Sequence, residues 1–405
     1  MILYIGGRRV DQNEAKRMKK RILIVVSGNY DGAIARCSWN IYSAYKHHDD
    51  EFEVKCVLFK KVSNGMREYY NVETYSEQQH GLLAKILPLL SKIMWLRKIK
   101  KEFNPDYTIS TLFSVNFLNV LSGCKGKKIG IFHSPYKQGR ALGAIKYSAS
   151  LFSYNCIYPL LDKLACVSSE VKQSLRVFPL ISQKKVQVIY NIHNVDQIIS
   201  ESNKEVMNEE EKEIFNHPVL LYCGRMDFNK APDRALKAFA MSNRPVDARI
   251  VFVGVDKSNL IPILQQIAAE YKISDKLHIL GKKANPYPYF KHAHALVSSS
   301  YSEGLPGVMI ESLILGTPVV TTNSSKGVWE IFSTVDKYDE NLSGVFASEC
   351  GYISSNLAFR DKAKEDLDVV NLKSAIDKSW NKSQISEFEF RNMIMGDTII
   401  KQLIN

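Results

Sequence analysis

The stretch ALVSSSYSEGLPGVMIESLILGTPVVTT, residues 295–322, decides the fold. It predicts a buried strand, a glycine-containing loop, an apolar helix that ends at Gly316, and a second strand. Both strands are continuous apolar runs, which are typical of parallel strands covered on both faces of a sheet. The stretch therefore predicts an α/β domain in which a right-handed crossover joins parallel strands.

The same order of strand and helix recurs along the chain of 405 residues, which is long enough for two or three domains. Apolar runs predict strands at 21–27, 52–59, 107–110, 128–133, 163–167, 186–190, 219–223, 249–254, 277–281, 295–299 and 318–321. A polar, acidic segment at 191–217 separates these strands into two series. Because ligands of such folds bind at the carboxyl ends of the strands, we expect the site in a cleft between two Rossmann-like domains.

The predicted domain boundaries follow from these patterns. Residues 18–195 form the first Rossmann-like domain, and residues 196–384 form the second. Residues 1–17 precede a natural start at MKKRILIVVS and are an N-terminal extension. Residues 385–405 form a C-terminal helix that packs back on the first domain.

The loop at 303–307 combines an acidic side chain with the start of an apolar helix. Free backbone N–H groups at a helix start bind anions. Glu303 in the loop and Glu311 inside the helix can both face a ligand there, and a carboxylate accepts hydrogen bonds from paired sugar hydroxyls. For Glu311, a structural ion pair or a solvated helix face is an equally good interpretation of the spacing alone. The backbone candidates for the ligand are Gly304, Leu305, Pro306 and Gly307.

Two cations follow the strand predicted at 219–223. Arg225 and Lys230 lie in its strand-to-helix loop, where they can point toward the loop that contains Glu303. A guanidinium and an ammonium together suit a diphosphate. Pro232 then occupies the first turn of the next helix, where proline is tolerated. Taken alone, the two cations are also compatible with an ordinary solvated surface.

Two segments of the second half resemble the donor-binding signatures of glycosyltransferase family 4. They are CGRMDFNKAPDRALKAFA at 223–240 and SEGLPGVMIESLILGTPVV at 302–320, the latter with two glutamates separated by seven residues. The resemblance extends from about residue 20 through nearly the whole chain and is weaker in the first half. It implies a retaining enzyme of the GT-B fold, in which two Rossmann-like domains face a central cleft. The first domain, 18–195, would then be the acceptor side, and the second, 196–384, would bind the nucleotide-sugar donor.

The resemblance also implies roles for individual residues. Arg225 and Lys230 neutralise the donor diphosphate, Glu311 binds the nucleoside ribose, and Glu303 binds hydroxyls of the transferred sugar with backbone groups of residues 304–307. His133 at a strand end matches a position that contacts the sugar near the reacting carbon, although a lone histidine there is more often structural.

The loop at 27–33 resembles the family's glycine-bearing loop near the diphosphate. Gly32 followed by Ala33 stands where the family has an adjacent glycine pair, and a plain turn is the alternative interpretation. The loop does not match the GxGxxG fingerprint of dinucleotide-binding enzymes.

Charge and composition restrict the partners. The chain has 54 Lys and Arg against 42 Asp and Glu, a net charge of +12, which favours an anionic partner. An arginine-rich arm and zinc-finger spacing are both missing from the sequence, so we expect no nucleic-acid partner. The seven cysteines form no CxxC pair, which predicts reduced thiols in a cytoplasmic protein.

Residues 81–101, GLLAKILPLLSKIMWLRKIKK, are basic and apolar. They predict either contact with an anionic membrane surface or an ordinary helix that packs beside the strand at 107–110. The first alternative places the protein peripherally on the inner face of the cell membrane.

We expect neither a metal nor a cofactor, because Arg225, Lys230 and the helix start can supply positive charge to the diphosphate. The Asp366-Leu367-Asp368 triplet is predicted to be a solvated surface segment. The expected reaction is transfer from a nucleotide sugar, with UDP as the nucleotide that the family favours, to a glycan or lipid-linked acceptor of a bacterial surface polysaccharide. The transferred sugar is a hexose or an N-acetylhexosamine. The alternatives are a sugar-nucleotide 2-epimerase and a non-catalytic subunit of the same fold.

Overall fold

The computed structural model describes residues 3–5, 8–10, 19–26, 33–59, 72–75, 87–136, 144–359, 361–386 and 389–405. The chain divides into two compact units, Met1–His193 with Ile394–Asn405, and Asn194–Met393. The sequence placed these divisions at 195/196 and 384/385. Each unit contains a seven-stranded sheet, and a separate two-stranded antiparallel sheet lies near the N-terminus.

The strands are β1 Leu3–Ile5, β2 Arg8–Val10, β3 Lys20–Val26, β4 Phe52–Leu58, β5 Val72–Thr74, β6 Tyr107–Ser110, β7 Lys127–Phe132, β8 Lys163–Cys166, β9 Val186–Val188, β10 Val219–Cys223, β11 Arg249–Val253, β12 Leu277–Gly281, β13 Ala295–Ser298, β14 Val319–Thr322, β15 Val345–Ser348 and β16 Gly351–Ser354.

The α-helices are α1 Ala33–His47, α2 Pro88–Phe103, α3 Phe113–Leu121, α4 Ala144–Phe152, α5 Ser169–Ser174, α6 Val195–Ser202, α7 Glu209–Phe215, α8 Pro232–Met241, α9 Ile261–Glu270, α10 Tyr287–His292, α11 Gly307–Ile314, α12 Lys326–Ile331, α13 Glu365–Ser379 and α14 Gly396–Ile404.

The strand orders confirm the predicted α/β class with parallel sheets. The first unit has the order β5-β4-β3-β6-β7-β8-β9, and all its neighbouring strands are parallel. The second unit has the order β12-β11-β10-β13-β14-β16-β15, and only the last pair is antiparallel. In the second unit the strand order reverses between β10 and β13, so the loops that follow these two strands are where a ligand is expected.

The core of the second unit forms because α8 buries an apolar face on the sheet. Ala235 and Phe239 of α8 are fully buried, and they cluster with Leu220 of β10 and with Leu372 and Ile376 of α13. Pro232 lies in the first turn of α8, as its spacing predicted. The packing fixes the start of α8, and with it the loop that carries Lys230.

In the first unit, the C-terminal helix α14 packs on α1. The Tyr45 hydroxyl of α1 donates to the carbonyl of Ile400 at 3.0 Å, and Lys163 of β8 donates to the carbonyl of Gln402 at 2.7 Å. A Cβ atom on Gly396 would lie 3.1 Å from that of Ala44, so the two helices approach closely there. The last segment of the chain thus completes the first unit.

Two local features were not predicted. The carboxylate of Asp256 caps the start of α9, since it accepts hydrogen bonds from the backbone N–H groups of Leu260 and Ile261, both at 3.0 Å. The strands β15 and β16 lie in a part of the chain where no strand was predicted. The residues of β15 are partly exposed, so they form no continuous apolar run that a sequence pattern would reveal.

Two glycines meet at the carboxyl ends of β10 and β11. Gly224 donates its N–H to the carbonyl of Val253 at 2.9 Å, and a Cβ atom on Gly254 would lie 1.7 Å from the carbonyl oxygen of Gly224. A Cβ atom cannot occupy such a position. Glycine at 254 therefore allows the backbone after β11 to pass close to the backbone of Gly224, at the end of β10.

We predict that Gly254→Ala lowers the free energy of unfolding by about 2 kcal/mol or more, because the new methyl group must displace backbone atoms. Urea denaturation measures the change. The control is Gly344→Ala, where a Cβ atom would meet open space, and we expect a change below about 0.5 kcal/mol. Equal effects of the two substitutions would contradict the close approach.

Candidate active site

Two loops join at the carboxyl edge of the second sheet, one after β10 and one after β13. The backbone N–H of Tyr301 donates to the carbonyl of Asn229 at 2.8 Å. The side-chain amide of Asn229 donates to the carbonyl of Ser302 at 2.9 Å. These bonds hold the residue before Lys230 against the residue before Glu303, so the polar side chains of the two loops come together.

Lys230 and Glu303 form the central pair of the site. The Lys230 Nζ lies 2.5 Å from Glu303 Oε1, and the two side chains are 22% and 12% exposed. The backbone N–H of Lys230 donates to Asp227 Oδ1 at 3.0 Å, and that of Glu303 donates to the carbonyl of Ser324 at 3.2 Å. A partly buried pair of this kind feels a lower effective dielectric than a surface pair, so each charge is a strong counter-charge for the other.

Arg225 lies on the same loop but pairs with a different carboxylate. Its Nη2 is 3.2 Å from Asp227 Oδ2, and its side chain is 61% exposed. The carbonyl of Arg225 accepts a hydrogen bond from the Tyr222 hydroxyl at 2.8 Å. Burial raises the pKa of Tyr222 well above its ordinary value, so this hydroxyl remains a donor.

Asp227 and Tyr222 were missed by sequence reasoning. Asp227 links the two cations, since one of its oxygens faces Arg225 and the other accepts from the backbone of Lys230. An aspartate three residues before Lys230 is the usual pattern of a local side-chain-to-backbone turn, and this signal could have identified it.

The helix α11 begins at the loop that contains Glu303. Its N-cap is Pro306, whose side chain cannot accept a hydrogen bond from the first turn. Gly316 follows its last turn with a φ of +81°, as predicted for the residue that ends the helix. The N-cap residue thus offers no side-chain acceptor to the first-turn N–H groups of α11.

Glu311 lies inside α11 and is buried, at 9% exposure. Its neighbours on the helix are buried as well, which confirms that the helix is covered on nearly all sides. A buried carboxylate requires polar partners, so Glu311 is not the solvated helix residue of the alternative interpretation.

Gly327 supports the glycine loop from the next helix. A Cβ atom there would lie 2.2 Å from the carbonyl oxygen of Gly304. The Ser325 hydroxyl donates to the same carbonyl at 3.4 Å. The sequence did not predict this contact, because Gly327 lies in the first turn of α12 and Gly304 lies in a separate loop earlier in the chain.

His133 follows β7 in the first unit. Its Nε2 is buried and has no hydrogen-bond partner among the residues that the structure describes. Burial lowers the pKa of His133 to about 4, so the imidazole is neutral at pH 7. Burying a ring nitrogen without a hydrogen-bond partner costs free energy. Gly32 and the rest of the loop at 27–32 lie outside the described residues.

The prediction of a solvated triplet at 366–368 is wrong for Asp368. Its side chain is fully buried, and Oδ2 lies 3.2 Å from Nη2 of Arg234. Asp366 is exposed, as predicted. Across the described ranges, the side chains bring together no group of three or more His, Cys, Asp or Glu that could hold a metal ion.

Two further properties bear on the sequence predictions. All seven cysteines are free thiols, of which Cys56, Cys166 and Cys350 are buried and Cys156 is exposed. Within the part of the chain that the structure describes, no helix is long and apolar enough to cross a membrane.

Residues 203–339 match the family model described as Glycosyl transferases group 1, and this range includes Arg225, Lys230, Glu303 and Glu311. One relative is the uncharacterized glycosyltransferase MJ1059 of Methanocaldococcus jannaschii, 23% identical over 72% of this chain and 74% of that protein.

A second relative comes from Campylobacter jejuni subsp. jejuni serotype O:2. It is GalNAc-alpha-(1->4)-GalNAc-alpha-(1->3)-diNAcBac-PP-undecaprenol alpha-1,4-N-acetyl-D-galactosaminyltransferase, 28% identical over 77% of this chain and 79% of that protein.

Solved structures show the same fold at low sequence identity. Anabaena Alr3699/HepE in complex with UDP-glucose has a TM-score of 0.66 at 14% identity, over 95% of this chain and 98% of that one. The apo form of the lipopolysaccharide outer core galactosyltransferase WaaB has a TM-score of 0.60 at 16% identity, over 95% and 96%. The two parallel-sheet units thus share the GT-B fold of these solved structures.

Proposed function

We propose that the protein is a retaining family 4 glycosyltransferase that uses a UDP-sugar and extends a lipid-linked glycan in bacterial surface polysaccharide synthesis. The Lys230–Glu303 pair carries the proposal, because an ammonium and a carboxylate lie side by side where the strand order reverses. A carboxylate there can accept hydrogen bonds from sugar hydroxyls. Two Campylobacter relatives are named for acting on undecaprenol-linked acceptors, and HepE was solved with UDP-glucose. These names make an N-acetylhexosamine the first sugar to test.

The charges of the site suit the bond that breaks. When the anomeric carbon leaves the diphosphate oxygen, negative charge grows on the diphosphate. Lys230, Arg225 and the start of α11 stabilise that charge, while Glu303 orients the sugar through its hydroxyls and Glu311 binds the ribose. The acceptor oxygen then bonds to the anomeric carbon on the same face, and its proton passes to a phosphate oxygen of the leaving diphosphate. This scheme needs no metal, since the protein supplies the positive charge. The role of His133 as a sugar contact stays a prediction.

A lipid-linked acceptor requires contact with a membrane, and α2 offers a suitable surface in the first unit. Leu87, Leu90 and Met94 are exposed at helical spacing, so they share one face. The same face continues toward the C-terminal end of α2 with the exposed cations Arg97, Lys98 and Lys101. Beyond the first turn, in which Leu89 is also exposed, the opposite face is buried, with Trp95 and Ile99 in the core.

The two interpretations of residues 81–101 are thus compatible for α2, because one face packs and the other remains exposed. We propose that the exposed face lies on anionic lipid, with the leucines and Met94 in the apolar boundary and the cations at the headgroups. Residues 81–86 lie outside the described part of the chain.

We predict that the purified protein releases UDP from one member of a panel of UDP-sugars when a polyprenyl-diphosphate-linked glycan is present. Lys230→Ala should lower kcat by about 100-fold or more, because a fixed cation no longer faces the leaving diphosphate. Glu303→Gln should lower kcat by a similar factor, since the amide donates where the carboxylate accepts. Coupled detection of UDP measures both variants, and EDTA should leave the wild-type rate unchanged.

The matched control is Lys373→Ala, which removes an ion pair of similar exposure and length, 2.6 Å to Asp377, on α13. It should keep full activity, and thermal unfolding should show that all variants remain folded. Conversion of the donor to its 2-epimer without acceptor, seen by NMR, would favour the isomerase. Failure to bind any nucleotide sugar would favour a non-catalytic subunit. Loss of activity in EDTA, restored by a divalent metal, would contradict the metal-free scheme.

We also predict that the protein sediments with vesicles that contain anionic phospholipid and much less with purely zwitterionic vesicles. Replacing Leu90 and Met94 by serine should weaken vesicle binding at least about tenfold, because two apolar side chains lose their contact with lipid. Replacing Lys98 and Lys101 by glutamine should weaken it by a similar factor and reduce its salt dependence. Val246→Ser, at a position that is 91% exposed in the second unit, is the control. Equal sedimentation of all these variants would rule out α2 as the membrane contact.

A further inference from the structure

Arg234 is a buried cation in the first turn of α8, four residues after Lys230 in the sequence. Its side chain is 1% exposed, which is unusual for arginine. Nε lies 3.1 Å from Glu365 Oε1 and Nη2 lies 3.2 Å from Asp368 Oδ2. Nη1 donates to the carbonyl of Ser299 at 3.3 Å and to Asn356 Oδ1 at 3.0 Å. The guanidinium thus forms ion pairs with two carboxylates of α13, Glu365 and Asp368.

The same guanidinium contacts the loop that leads to Glu303. Its Cζ lies 4.6 Å from the centre of the Tyr301 ring, a cation–π distance. The side-chain amide of Asn356 donates to the carbonyl of Tyr301 at 2.7 Å. Arg234 therefore reaches this loop at Ser299, at the Tyr301 ring and, through Asn356, at the Tyr301 backbone.

Tyr301 is in turn fixed on its polar end. Its hydroxyl donates to Glu365 Oε2 at 2.7 Å and accepts from Lys362 Nζ at 2.7 Å. Its backbone N–H donates to Asn229, the residue before Lys230. Tyr301 consequently connects the buried cluster of Arg234, Glu365 and Asp368 with the two loops that bring Lys230 and Glu303 together.

Asp368 is the fixed end of this arrangement. Its two oxygens accept from the Ser355 hydroxyl at 2.5 Å, from the backbone N–H of Leu357 at 3.0 Å and from that of Ala358 at 2.7 Å. Buried ion pairs of this kind add little stability compared with apolar packing. The hydrogen bonds that Nη1 donates to Ser299 and Asn356 nevertheless fix the direction of the planar guanidinium.

We propose that Arg234 is a positioning residue for sugar transfer, which sets the loop at 299–303 so that the Glu303 carboxylate meets Lys230 and the sugar. This inference rests on the proposed function. Arg234 itself does not contact the donor in this proposal. It should therefore change the orientation of the sugar through Glu303 and leave the nucleotide contacts unchanged.

The test is a double-mutant cycle of Arg234→Lys with Glu303→Gln in the full-length protein. Lysine keeps the charge but loses the fork, so we expect kcat to fall by about 10- to 100-fold, the scale of a misplaced catalytic group. In the Glu303→Gln background the same substitution should cost less than about threefold, because residues that act as a unit are non-additive. Calorimetry with UDP alone should give the wild-type affinity.

The matched control is Arg244→Lys near the end of α8. Arg244 also stacks on an aromatic ring, Phe239 at 4.7 Å, and donates to the carbonyl of Ala240, but it contacts neither loop. It should leave kcat unchanged. A merely structural role of Arg234 would lower UDP affinity together with kcat and would add to the effect of Glu303→Gln, and either result overturns the inference.

If the Arg234→Lys variant does not fold, Tyr301→Phe provides a second test of the positioning role. It keeps the ring and loses the hydroxyl bonds to Glu365 and Lys362, so we expect a fall in kcat of about three- to tenfold that disappears in the Glu303→Gln background. An unchanged kcat would overturn the inference. A wild-type protein that transfers no sugar from any donor contradicts the proposed function, whereas an active wild type with additive variants contradicts the positioning role alone.

Discussion

The parallel pairing of β10 with β13 is the constraint on which the site depends. Leu220 faces Ala295 and Leu221 faces Leu296 in this register. Because the two strands run in the same direction as neighbours, their carboxyl ends emerge at one edge, and the loops with Lys230 and Glu303 can meet. A slip by one residue would move one loop by about 3.3 Å and turn its side chains to the other face. An ion pair of 2.5 Å could not form after such a slip.

The three arginine and lysine side chains of this region differ in burial, and their burial indicates what each can do. Arg225 is 61% exposed beside Asp227, and exposed pairs contribute little free energy. A diphosphate can therefore compete with Asp227 for this guanidinium at small cost. Lys230 is 22% exposed and Arg234 only 1%, so their partners exchange less readily. Exposure thus decreases from Arg225, which can change partners, to Arg234, which we propose positions the loop.

Sequence reasoning succeeded where the decisive forces are local. The strands of β10 and β13, the proline of the first turn of α8 and Gly316 after α11 are each specified by a few adjacent residues. It failed for Asp368, because a charged helix residue ordinarily faces solvent, and its burial depends on Arg234 from a distant part of the chain. It also missed β15, whose residues are partly exposed, and the approach of Gly327 to Gly304, which only the tertiary fold creates.

Glu303 lies between two supports that the sequence does not reveal. On one side Tyr301 is bound by Asn229, Asn356 and the Arg234 cluster. On the other side the carbonyl of Gly304 rests against Gly327 and accepts from Ser325. Only Ser302 and Glu303 remain between these contacts, and the N–H of Glu303 is itself bound to Ser324. A carboxylate held in this way loses little conformational entropy when a ligand binds. If Glu303 binds the sugar as we propose, the affinity depends on how well the hydroxyl geometry matches its fixed oxygens.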